Sequence, residues 1–154
     1  MAPLLAGIGT INGESRNVLF EHPFSDRKSL IRFSNISIPE GAILKFGIAL
    51  DPSTWDPKKG DGVLFEVYVK KGDIERIVFS KYIDPKHNVS ERRWNDFEVD
   101  LSDYRGSHVT LTLATSPGPR GDANWDWAWW GEPMIVTNAE RNIKIKGASR
   151  AEGP

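Results

Sequence analysis

Residues 42–71 restrict the fold of this chain more than any other stretch. In "AILKFGIAL", residues 42–50, Leu44, Phe46, Ile48 and Leu50 share one parity, and Ile43, Lys45, Gly47 and Ala49 share the other. Apolar residues recurring at period two put one face of a β-strand against a core. "GVLFEVYVK", residues 62–70, repeats the pattern with Val63, Phe65, Val67 and Val69 inward. The turn "KKGD" follows, with Gly72 free to adopt positive φ, and "IERIVFSKYI" returns the chain as a hairpin partner.

The same reading extends in both directions. "SLIRFSNISIPE" carries apolar residues at 31 and 33 and then at 36 and 38, so its parity slips at Ser34–Asn35, as at a β-bulge. "WNDFEVDL" and "HVTLTLAT" alternate through Phe97, Val99 and Leu101 and through Val109, Leu111 and Leu113. With "LAGIGTI", "NVLF", "PMIVT" and "RNIKIK", about eight to ten short strands result. The expected architecture is all-β: a jelly-roll sandwich of two antiparallel sheets, with Phe46, Ile48, Phe65, Val67, Phe79, Val99, Leu111 and Leu113 in its core. At 154 residues one domain is expected, spanning 1–140, with 141–154 a terminal strand or polar tail.

Charge and residue types remove whole classes of function. Twenty basic and 21 acidic residues leave a net charge of −1, without the field that draws nucleic acid. No cysteine is present, which excludes disulfides, a thiolate nucleophile and cysteine zinc sites. No apolar run is long enough to insert into a membrane, and "MAPLLAGIGTI" lacks the charged start of a signal peptide. His22, His87 and His108 belong to no HExxH pair, and neither a GxSxG elbow nor a phosphate loop occurs. Asp61 with Asp126 would suit a glycosidase only at a separation that sequence does not fix. A non-enzyme is expected.

Recognition then falls to the long loops, 51–61, 84–93 and 116–124, and to the tryptophans of "GDANWDWAWWGEP". In an extended chain Trp125, Trp127 and Trp129 project to one side, and Asp126, Ala128 and Trp130 to the other. Trp130 precedes Gly131, Pro133 and the apolar "MIV", so it is expected at the core edge, as is Trp94. Exposed indoles at Trp125, Trp127 and Trp129, joined by Trp55 and flanked by Arg120, Asn124 and Asp126, would suit the apolar face and hydroxyl edge of a sugar ring. They would equally suit a protein interface, and the competing reading buries most of these rings between the sheets; at least one of the three is expected to be exposed. Asp56, Asp61, Asp122 and Asp126 lie in or beside two of the loops, where several oxygen donors suit Ca²⁺; the competing reading has these aspartates capping turns.

The run "GDGVLFEVYVKKG", then "FEVDLSDYRGSHVTLTLATSPGP", then "DWAWWGEP" resembles the β-sandwich modules of the galactose-binding-domain-like group. It is similar in particular to the novel putative carbohydrate-binding module, whose pattern runs from an "FxVyvdG" strand through "vdLsG…vtLxv" to "DHAxWadP". It also resembles uncharacterised β-sandwich domains attached to bacterial membrane proteins, including glycosyltransferase-like ones. The resemblance covers residues 17–137. It implies that Asp126, Ala128 and Trp130 take the positions of the family's Asp, Ala and Trp, while Trp127 stands where the module has histidine. A structural calcium ion near the sandwich edge is implied as well.

Two functional readings follow. The first is a non-catalytic carbohydrate-binding module that stacks loop tryptophans on a glycan. The second is an accessory domain whose tryptophan face docks on a parent protein or forms a homodimer. Either way, the expected location is extracytoplasmic or at the cell surface, as part of a larger protein.

Overall fold

A computed structural model describes residues 5–118 and 126–137. Its strands are β1 (Leu5–Ile11), β2 (Glu14–Phe20), β3 (Ser29–Ser37), β4 (Ile43–Leu50), β5 (Val63–Lys71), β6 (Ile74–Ile83), β7 (Asn95–Asp100), β8 (His108–Pro117) and β9 (Ala128–Val136). Short 3-10 turns at Pro52–Thr54, Val89–Glu91 and Ser102–Tyr104 are the helical segments among the described residues. The strands form a five-stranded sheet, in the order β1-β2-β9-β4-β7, and a four-stranded sheet, β3-β8-β5-β6. Every pairing is antiparallel.

Local chemistry sets the register. Asn12 and Gly13 both have positive φ, which closes the β1–β2 hairpin with Ile11 opposite Glu14. A two-residue turn with both residues in this region matches the twist of the strands it joins. Gly72, with φ of 60°, plays the corresponding part between β5 and β6. The parity slip in β3 is real: its pairing with β8 shifts between Phe33 and Ile36, and Asn35 takes a φ of 57°. Further shifts occur between Val67 and Tyr68 on β5 and between Lys45 and Gly47 on β4.

Between the sheets lies the main core, with Leu44, Phe46, Ile48 and Leu50 of β4 facing Val63, Phe65, Val67 and Val69 of β5. Seven of the eight expected core residues are buried; Phe79 is partly buried and packs edge-on against Phe46. Trp130 is not at the edge. It is fully buried at the centre, its indole set edge-on between Phe46 and Phe65.

A second, smaller cluster of Ile11, Val18, Ala49, Trp94 and Trp129 lies on the outer face of the five-stranded sheet. Missing side chains make room for it. A Cβ on Gly9 would stand 2.6 Å from the Trp129 ring, and one on Gly131 would stand 2.7 Å from Trp94. The two indoles therefore lie against bare backbone. The Arg16 guanidinium covers Trp94 at 4.8 Å and is held by Asp96 Oδ1 at 2.5 Å and by Glu14 Oε2 at 2.8 Å.

Candidate functional site

The first half of "DWAWWGEP" crosses from loop to strand where β2 and β9 meet at one end of the sandwich. Phe20 pairs with Trp129, and the Glu21 amide donates to the Ala128 carbonyl at 3.0 Å, so the ladder brings His22 opposite Trp127. Their rings are nearly parallel, 13° apart in plane with centroids 6.2 Å apart. Trp127 is 38% exposed. Its carbonyl accepts from the Asp51 amide at 2.9 Å, which ties it to the start of the 51–61 loop. Burial pushes the His22 pKa down, with the Asp51 charge opposing.

Strand geometry separates the predicted residues. Trp129 shares the outward parity of Trp127 but is buried under the outer cluster, edge-on to Phe20 and tilted against Trp94. The expected exposure of Trp129 is corrected here, because Gly9 on β1, two strands away, leaves room for this ring to lie flat on the sheet. Trp55 is partly buried against both clusters and donates its Nε1–H to the Leu50 carbonyl at 3.0 Å. Trp125, Asn124, Arg120 and Asp122 lie outside the described residues.

Asp126 is likewise no surface ligand for a sugar. It is fully buried, and its Oδ1 accepts from Lys86 Nζ at 2.7 Å. Lys86, equally buried, also donates to the Lys59 carbonyl at 2.6 Å. Asp56 Oδ1 caps the Lys58 amide at 2.9 Å, the turn-capping role of an aspartate. Asp61 is 7% exposed, and its Oδ1 is buried without a hydrogen-bond partner among the described residues. The Tyr82 hydroxyl accepts from the Gly62 amide at 3.0 Å; burial, and then the charges of Asp61, Asp84 and Asp126, push its pKa up.

Beneath this end sits Glu21, 2% exposed. Its Oε1 accepts from Trp130 Nε1 at 2.9 Å. Burial pushes its pKa up to about 8, against the opposing hydrogen bonds from Trp130 and Ser29. A buried carboxyl in apolar surroundings keeps its proton for this reason.

A cleft of about 540 Å³ opens elsewhere, on the outer face of the five-stranded sheet. Gly47 and Gly131 contribute to its lining, with Arg16, Asp96, Lys45 and Glu132 around them. Glu132 has a φ of 44° and lies on β9 across from the irregular step in β4. The arrangement juxtaposes charged donors and acceptors on a rigid sheet.

His22, Lys86 and the Arg16–Asp96 pair were invisible in sequence. A lone histidine and a lysine in an unpatterned loop carry no signal until distant strands are placed side by side.

No protein-family model matches the chain. It is 58% identical over 132 residues to an uncharacterised protein of Archaeoglobus fulgidus, a match covering 85% of this chain and 33% of that protein. The chain thus spans about a third of that relative's length. Among solved structures, it is similar to the K3 cleaved adhesin domain of Lys-gingipain from Porphyromonas gingivalis. The TM-score is 0.51 at 14% identity, over 82% of this chain and 78% of that one. The carbohydrate-binding module TmCBM61, solved with β-1,4-galactotriose, also matches, with a TM-score of 0.47 at 14% identity over 89% of this chain and 90% of that one. The fold is the all-β sandwich of two antiparallel sheets that the strand pattern predicts.

Proposed function

We propose that this domain is a non-catalytic carbohydrate-binding module, acting outside the cell, that holds a glycan at the loop end of the sandwich against Trp127. The observation that carries the reading is the paired, part-exposed surface of Trp127 and His22. An indole presents a flat apolar face to the C–H side of a sugar ring, and the imidazole beside it offers a donor or acceptor to a hydroxyl. Asp51, joined to Trp127 through the backbone, adds a carboxylate at the same end. The site differs from the row of three indoles expected from sequence. One ring forms its centre, and the contribution of Trp125, Asn124 and Arg120 belongs to the proposal.

Binding at one stacked ring and a few water-exchanged hydrogen bonds is weak, because each net hydrogen bond contributes only about 0.5–1.5 kcal/mol. A glycan array read beside a sizing column tests the reading. Glycan capture by a monomer supports it. A concentration-dependent dimer that captures no glycan supports the second reading, an accessory domain docking through this end. That reading draws on the archaeal relative, of which the matched segment is only a third.

A further inference from the structure

The notable group at the loop junction is a cation that the chain supplies itself. Loop aspartates at 56, 61, 122 and 126, together with the family resemblance, call for Ca²⁺ between the 51–61 loop and the segment entering β9. The described donors do not fit a calcium ion. Asp56 caps its own turn and Asp126 Oδ1 is committed to Lys86; Asp61 Oδ1 is buried without a partner among the described residues, but no three His, Asp or Glu side chains converge there, and Asp122 lies outside them. What joins the two segments is the Lys86 ammonium, reaching the Lys59 carbonyl at 2.6 Å on one side and Asp126 Oδ1 at 2.7 Å on the other.

We propose that the Lys86 ammonium does the work of a structural metal ion here, clamping the 51–61 loop to the residue preceding Trp127 and making the junction independent of calcium. A backbone carbonyl and a carboxylate are the donors a hard cation takes from loops, and an ammonium offers them three hydrogen-bond donors in place of coordination. Complete burial makes the pair exacting. With both side chains at 0% exposure, neither charge is screened by water, and removing one takes a buried counter-charge from the other. The Asp51 amide holds Trp127 from the opposite side of the same loop, so the clamp also fixes where the exposed indole stands. The inference does not depend on the ligand's being a sugar.

The test is a set of thermal melts on the whole chain. Wild-type protein is expected to melt at the same temperature in millimolar calcium chloride and in chelator, because a ligand that binds only the native state must raise the melting point. Lys86→Met is expected to melt many degrees lower, because it takes the buried ammonium away from the Lys59 carbonyl and the Asp126 carboxylate. The double variant Lys86→Met, Asp126→Asn, which buries a neutral pair of similar shape, is expected to recover much of that loss, and it gives a reading even where the single variant fails to fold. A calcium-dependent rise of several degrees in the wild type overturns the proposal. So does a Lys86→Met variant as stable as the wild type, or a double variant no more stable than the single one.

Discussion

Trp129 and Trp130 are neighbours in the chain and belong to different hydrophobic cores. Trp130 points between the sheets, with no exposure, and packs on Phe46 and Phe65; Trp129 points outward, at 6% exposure, and packs on Trp94 and Phe20. Alternation along β9 accounts for the opposed directions, and Gly9, whose missing side chain leaves room on the outer face, accounts for the burial of Trp129. A strand next to two apolar clusters buries consecutive large rings.

Truncation separates the three rings by consequence. Trp130→Ala should cost roughly 3–5 kcal/mol, the usual loss for a large aromatic from a packed core. Trp129→Ala should also destabilise, whereas Trp127→Ala should stay within about 0.5 kcal/mol of wild type, as surface changes do. Urea melts of the three variants decide this. Equal losses at all three positions would make Trp127 a core residue and leave no aromatic platform.

Gly131 should resist even a methyl group. Its Cβ would meet the buried Trp94 ring at 2.7 Å, and that ring is confined by Arg16. Gly131→Ala should therefore cost about 1–3 kcal/mol through overpacking. A melt matching wild type would show that the outer cluster is loosely packed.

Glu21 makes stability depend on pH. Its pKa is about 8 folded against an ordinary value of 4.5, so across that window the native state holds more protons than the unfolded chain. Its contribution is fully present below pH 4.5 and is lost as pH rises through 8, at about 1.4 kcal/mol per pH unit within the window. Glu21→Gln keeps an acceptor for Trp130 and removes the charge, so it should flatten this decline and exceed wild type in stability at pH 8. Denaturant melts from pH 5 to pH 9 are the check, and parallel profiles for the two proteins would contradict the assignment.

The sandwich was legible because its information is local. The Gly72 turn, the bulge at Ser34–Asn35 and the alternation in β4 and β5 each follow from a few adjacent residues. The site was not, because it depends on which strands meet. Nothing near His22 announces that β2 pairs with β9, more than a hundred residues on, and nothing in "DPKHNVSERR" marks Lys86 as buried. Trp129 was misplaced for a related reason. Parity gives a side chain's direction but not what covers that face, and here Gly9 lies on the far strand of the sheet.

Glycan binding at Trp127 is tested most directly by calorimetric titration of wild type and Trp127→Ala with the oligosaccharide that gives the strongest array signal. Saturable binding by the wild-type monomer should weaken by about 1–3 kcal/mol in the variant, roughly tenfold or more in Kd, with its melting point held. Undiminished binding by Trp127→Ala would contradict the proposed site, and a wild-type protein that binds no glycan would contradict the function.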